Sequence, residues 1–168
     1  AMTLCGELER RATGVGWRCI LYPHGVSEQL VRAMAAAGCL EVSLGFESGS
    51  PGMLRALGKR FTPEEVRSAS DVLAGYGVRR MGFLLLGGPG ETRDTVEESV
   101  AFAEALHLDA LRVTVGIRVY PGTGLARRAV ADGVVAPDDD LLLPRFYLAP
   151  GLEPWIHARV AHLTRMGA

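Results

Sequence analysis

The sequence is poor in cysteine, nearly free of net charge and without a long apolar run. Its three cysteines, Cys5, Cys19 and Cys39, are widely spaced and match no metal-binding motif. So sparse and odd a set suits reduced thiols, so a cytoplasmic protein is expected, with each thiol a small core residue. A net charge of −1 gives no electrostatic footprint for nucleic acid or a membrane surface. No stretch approaches the roughly 20 apolar residues of a membrane span. No signal peptide, repeat or low-complexity segment is visible. What is present is 168 residues, 48% of them hydrophobic, enough for one domain with a core. Ala1 before Met2 reads as a residue left by cloning, so the chain is expected to begin inside a longer protein.

Helix and strand signals alternate. Residues 1–13 read as the end of a helix, and Gly16 to Tyr22 as a strand. Ser27 N-caps a helix with Leu30, Val31, Met34 and Ala37 on one face and Gly38 at its end. Cys39 to Phe46 is a second strand, followed by a short helix over Pro51 to Leu57. Thr62-Pro63-Glu64-Glu65 predicts a capped helix start, with Glu65 closing a capping box. Val78 to Leu86 is a third strand, and a helix from Thr92 to Leu106 follows. Leu111 to Val119 reads as one continuous fourth strand, then a helix from Gly124 to Ala131. Leu141 to Ala149 reads as extended and Glu153 to Arg165 as a last helix. Strands separated by helices are βαβ units with a parallel sheet, either open and doubly wound or part of a barrel.

Side chains alternate along a strand. In the second strand Leu40, Val42, Leu44 and Phe46 share one face, and Glu41, Ser43, Gly45 and Glu47 the other. In the fourth, the odd positions from Leu111 to Val119 oppose Arg112, Thr114, Gly116, Arg118 and Tyr120. Helices cover the apolar face. The polar face lines a lumen filled by ligand, water or ion pairs, or it sees solvent; the pattern leaves both open. The third strand is mixed on both faces and does not decide.

Ligands of parallel α/β folds bind at the C-terminal strand ends. The second strand ends in Gly45-Phe46-Glu47-Ser48-Gly49-Ser50, where Glu47 offers a carboxylate to hydroxyl donors such as a ribose. Ser50 before Pro51 alone would explain a helix-capping turn. The third ends in Gly87-Gly88-Pro89-Gly90-Glu91-Thr92, whose glycines let a backbone approach a ligand and whose helix start suits a negative group. It is no phosphate P-loop, and taken alone a plain strand-to-helix turn capped by Thr92 explains it better. The fourth ends at Arg118 and Tyr120 before Pro121-Gly122. Lys59-Arg60 reads as a solvated pair or as a pair reaching a ligand carboxylate. His24 reads as a surface loop residue, and no role is expected for His107, His157 or His162.

Taken in order, "WRC", "VRAMAAAGCLEVSLGFESGS", "MLRALGKRFTPEEV", "GFLLLGGPGETRDTVEESVAFAEAL" and "IRVYPGTGLA" resemble the later strands of the radical S-adenosylmethionine (SAM) superfamily barrel. The similarity covers roughly residues 16 to 135 and is strongest to the branch that often carries a cobalamin-binding domain. The resemblance implies a partial TIM-type barrel, with this chain supplying the third to sixth strands of a (β/α)6 barrel. It implies SAM across the top and a [4Fe–4S] cluster that cleaves it to a 5′-deoxyadenosyl radical, with cobalamin a possible further cofactor. Glu47 and Ser48 match the region contacting the SAM ribose or methionine part, and Lys59 or Arg60 the basic residue meeting its carboxylate. Leu86, Gly87, Gly88 and Pro89 match backbone along the adenine, and Arg118 to Tyr120 the sixth-strand end near it.

One departure bears on activity. The family's C-x3-C-x2-C triplet and its glycine-rich second-strand segment are absent, so the isolated chain is expected to bind no cluster and to be inactive. Residues 1–135 are expected to form the barrel portion and 136–168 an extension packed on it. The missing half of the barrel is the expected partner, and no catalytic or metal-binding residue is assigned. The strand edge at Trp17–Tyr22 is expected to be covered by a partner chain, a swapped element, a second copy or the C-terminal helix. Two further readings stay open: a non-catalytic SAM-binding or interaction module, and an ordinary nucleotide-using α/β enzyme.

Overall fold

The computed structural model describes residues 1–12 and 14–163. The elements run α1 (Met2–Arg11), β1 (Trp17–Leu21), α2 (Glu28–Ala36), β2 (Cys39–Glu47), α3 (Pro51–Ala56), α4 (Pro63–Gly75), β3 (Arg79–Leu86), α5 (Arg93–Ala105) and β4 (Ala110–Val115). After these come β5 (Ile117–Val119), α6 (Gly124–Ala131), β6 (Arg145–Tyr147) and α7 (Trp155–Val160). Strands β1 to β4 form a parallel sheet in sequence order. Order without a reversal is that of a barrel wall, because a doubly wound sheet changes direction at a switch point.

Local chemistry sets where the helices begin. The Ser27 hydroxyl accepts from the Leu30 N–H, and Thr62 and Glu65 form the expected capping box. Thr92 and Thr95 make a second box at α5, and Thr123 caps α6. Each cap contributes about 1 kcal/mol and fixes a helix start beside a strand's C-terminal end. Val42, Leu44 and Phe46 of β2 and Leu84 and Leu86 of β3 are buried with Val31 and Met34 of α2, Val66 and Leu73 of α4, and Val96 and Val100 of α5.

The other face of the sheet is open. It carries Arg18 and Ile20 of β1, Glu41 and Ser43 of β2, Arg79, Met81, Phe83 and Leu85 of β3, and Arg112 and Thr114 of β4. At its lower end Arg18, Glu41 and Arg79 occupy one register row. Glu41 is 3.5 Å from Arg18 and 3.8 Å from Arg79, so mutual pairing satisfies these charges there. The third strand, mixed in sequence, has a clear inside: Gly82, Leu84 and Leu86 face the helices.

Several expectations need correction. The fourth strand is not continuous. Gly116, at φ 84°, breaks it, and β5 leaves the main sheet to pair antiparallel with β6. Leu40 is 55% exposed, because it lies at the lower margin of the sheet beside Gly16 rather than under a helix. The last helix is short, and Arg165 lies outside the described residues, as does Thr13 of the first helical stretch. Helix α7 packs against β4, at the opposite edge from β1, so the C-terminal helix does not cover Trp17–Leu21.

Candidate functional site

The upper rim, where the parallel strands end, gathers the residues singled out in the sequence. At the end of β2, Glu47 adopts the left-handed conformation, φ 64°, which costs a non-glycine residue about 1–2 kcal/mol. The β2–β3 register shifts between Leu44 and Glu47, so the strand turns out of the ladder there. Gly45 leaves room for this: a Cβ on it would stand 3.2 Å from Glu47 Oε1. Lys59 Nζ lies 3.5 Å from Glu47 Oε1, and both side chains are 24% exposed. Lys59 is the chain's sole lysine. The exposed Arg60 donates its backbone N–H to the Tyr22 hydroxyl at 2.9 Å, and Tyr22 stacks edge-on against Phe61. Beside this loop is a cavity of about 400 Å³ lined by Lys59, Arg60 and Phe61 with Leu54 and Arg55 of α3.

Ser48 has a different setting. It is 1% exposed, and its hydroxyl lies 2.7 Å from that of Ser99 on α5 while accepting from the Ser50 N–H. Ser99 also accepts from the Gly49 N–H at 3.1 Å. These buried hydroxyls bind the Glu47 turn to α5 and point away from the open face. Ser50 is the N-cap of α3 but makes no side-chain capping bond.

The glycine loop is closed on itself. The N–H groups of Gly87 and Gly88 both donate to Glu91 Oε2, the second at 3.0 Å. The Leu86 carbonyl accepts from Gly116 and the Gly87 carbonyl from Ala149. Leu86, Gly87 and Gly88 are buried and Pro89 half-buried. The loop is the plain turn capped by Thr92 that the sequence favours, and not a receptor for a negative group: the chain's own carboxylate holds the amides, and Thr92 and Thr95 cap the helix. Burial pushes the Glu91 carboxyl up, against the lowering effect of the two amides, and its Oε1 is buried without a partner.

Arg118 and Tyr120 stand at the end of the β5–β6 ribbon. The Arg118 guanidinium lies 4.9 Å from the Tyr120 ring centroid, and Phe146 is its cross-strand partner. The sequence reading did not reach Glu91, Ser99 or Phe146. Only Glu91 had a local signal, a carboxylate four residues after the first glycine of a tight turn. Three histidines are engaged with carboxylates: His24 with Glu65, His157 with Glu153, and His162 with Glu104.

A parallel barrel wall with polar groups at its strand ends is the class of fold in which ligands bind at the C-terminal rim, and sequence comparison gives the family. The family described as the Radical SAM superfamily matches residues 3–103. The chain belongs to the radical SAM superfamily. An uncharacterized methyltransferase of Pyrococcus horikoshii is 30% identical over 135 residues, covering 80% of this chain and 29% of that protein. The heme chaperone HemW of Mycobacterium tuberculosis is 32% identical over 127 residues, covering 75% of this chain and 32% of its own length. The chain thus spans about a third of the curated relatives it matches. Among solved structures, the radical SAM methyltransferase TsrM from Kitasatospora setae, with tryptophan substrate and a SAM analogue bound, superposes with TM-score 0.75 at 24% identity. It covers 99% of this chain and 40% of that one. HemN from Escherichia coli, a coproporphyrinogen III oxidase, gives TM-score 0.71 at 14% identity over 99% of this chain and 38% of its own. The fold is a partial TIM-type barrel of the radical SAM kind.

Membership implies SAM and a [4Fe–4S] cluster. The thiols described here do not fit the cluster. Cys5 and Cys39 are buried in the core, and Cys39 begins β2, at the end of the sheet opposite the rim. Burial and the neighbouring Cys19 push the Cys39 thiol up to about 11, which opposes the thiolate a cluster needs. Among the described residues no group of three or more His, Cys, Asp or Glu side chains could hold a metal ion. The rim offers a carboxylate and a neighbouring cation, Glu47 and Lys59, and Lys59 but not Glu47 lines the cavity beside them. No helix among the described residues is long and apolar enough to cross a membrane.

Proposed function

We propose that the chain forms the later strands of a radical SAM barrel and carries one side of its SAM site on the upper rim. The observation that carries this reading is the Glu47–Lys59 pair, an acid and a base held together on a strained strand end. Glu47 would accept hydrogen bonds from the ribose hydroxyls, and Lys59 or Arg60 would meet the SAM carboxylate. The apolar stretch Leu86–Pro89 would flank the adenine, with Arg118 and Tyr120 at the last strand end. Ser48 serves the site through its grip on α5, which sets the Glu47 turn. Strained backbone at a strand end is a reason to look for function there.

SAM bound beside the family's cluster supplies radical chemistry, and the cluster ligands would come from polypeptide outside these residues. That polypeptide would pair with the outer edge of β1, the end strand of the parallel sheet. A second TsrM structure, with cobalamin and a [4Fe–4S] cluster bound, makes cobalamin a candidate further cofactor of the complete enzyme. Because the present thiols fit no cluster, a SAM-binding module without its own catalysis is the second reading, and it shares the same rim.

Calorimetric titration of the chain with S-adenosylhomocysteine tests the site. A half-site predicts a Kd on the order of 1 mM, weakened about tenfold by Glu47→Gln, which removes one charge-assisted acceptor. Absence of binding, or binding indifferent to Glu47→Gln, would contradict it.

A further inference from the structure

Among the described residues, Glu41 on the open face stands near Arg18 and Arg79, Glu47 at the rim stands near Lys59, and Glu91 is turned onto the backbone amides of its own loop. Among the described residues Arg112, on the open face of β4, and Arg118, on β5, have no carboxylate within salt-bridge distance. Arg118 instead has one aromatic ring beneath it and a second aromatic residue opposite it on the neighbouring strand. Tyr120 lies under its guanidinium at 4.9 Å. Phe146 is paired with it across the ribbon and so shares its face. Both rings are 53% exposed, and together they make an apolar patch around the cation. Gly116 permits the arrangement, since a Cβ there would meet Phe146 Cβ at 3.3 Å.

An uncompensated guanidinium on one exposed ring, with a second exposed ring opposite it across the ribbon, is suited to a flat group bearing an acid: the rings take the π-face and the planar fork takes the anion. SAM does not supply that anion. Its single carboxylate is matched by Lys59 or Arg60 in the reading above, and its adenosyl part carries no negative charge. We propose that Arg118, Tyr120 and Phe146 form the substrate wall of the site, recognising a conjugated or aromatic substrate through its carboxylate, with Arg112 a second cation deeper in the lumen. The inference rests on the SAM-site reading for its placement, and the two fail separately.

The test is ligand-observed NMR on the full 168-residue chain, with 2-naphthoate as probe and naphthalene-2-carboxamide as its neutral counterpart. The wall predicts that the acid binds about tenfold more tightly than the amide. Arg118→Gln erases that preference, Arg118→Lys keeps part of it, and Phe146→Ala weakens both probes. Arg93→Gln, at a different arginine stacked on Trp155 at 5.2 Å, leaves it intact. No binding of either probe, equal binding, or a preference that survives Arg118→Gln would overturn the proposal. S-adenosylhomocysteine titrated into the same variants separates the two readings: Glu47→Gln should affect that ligand alone, and Arg118→Gln chiefly the naphthoate.

Discussion

Lys59 Nζ stands 3.5 Å from Glu47 Oε1 across a separation of twelve residues, one at the end of β2 and the other past the short helix α3. The pair is partly solvated, so the contact itself contributes no more than about 1 kcal/mol. The left-handed backbone at Glu47 costs a similar amount. Glu47→Gly should therefore be more stable than Glu47→Ala by about 1 kcal/mol, since only glycine takes φ 64° without strain. Urea denaturation of both variants checks this, and both should lose S-adenosylhomocysteine binding.

Ser99 is predicted to matter more for stability than its place on a helix suggests. Ser99→Ala leaves the Ser48 hydroxyl and the Gly49 N–H short of a buried partner. That costs about 1–3 kcal/mol, read from the urea midpoint. Gly49→Ala should be worse, because a Cβ there would stand 2.3 Å from Phe102 Cβ.

Gly87 and Gly90, the first and last residues of the Gly87-Gly88-Pro89-Gly90 loop, should respond differently. A Cβ on Gly87 would meet Leu148 Cδ1 at 2.3 Å, whereas nothing lies within 4 Å of one on Gly90. Both have positive φ. Gly90→Ala should cost about 1–2 kcal/mol for backbone alone, and Gly87→Ala about 1–3 kcal/mol more for overpacking. Thermal melting distinguishes them.

Glu91 gives the fold a pH dependence of definite sign. Its carboxyl titrates higher in the folded chain than in the unfolded one, with burial the leading cause. The folded state therefore holds the proton over the interval between the two values. This contribution is fully present below the unfolded carboxylate pKa and is lost as pH rises through the folded one. Glu91→Gln should flatten that limb of the melting temperature against pH. An unchanged profile would assign the dependence to other groups.

Much of this was legible in the sequence, and the reasons for the remainder are physical. The capping signals at Ser27 and Thr62 are local, and the structure forms both. The alternation in β2 placed Val42, Leu44 and Phe46 in the core because one face of the strand must meet helices. The break at Gly116 was not legible, since the period of two runs through it unbroken and the partner of β5 lies near residue 146. Glu91 has little local signal because Thr92 as a cap already accounts for the turn, and the folding of its carboxylate onto the Gly87 and Gly88 amides depends on the loop's closure. Glu47 and Lys59 were each singled out, but their pairing depends on how α3 returns the chain.

The most direct test of the central claim is an amide chemical-shift map of the chain titrated with S-adenosylhomocysteine. The account predicts shifts concentrated at residues 45–50, 59–62, 86–90 and 118–120, with the far end of the sheet around Trp17 and Cys39 unmoved. Shifts confined to that far end, or no shifts at millimolar ligand, would contradict a SAM site on the upper rim.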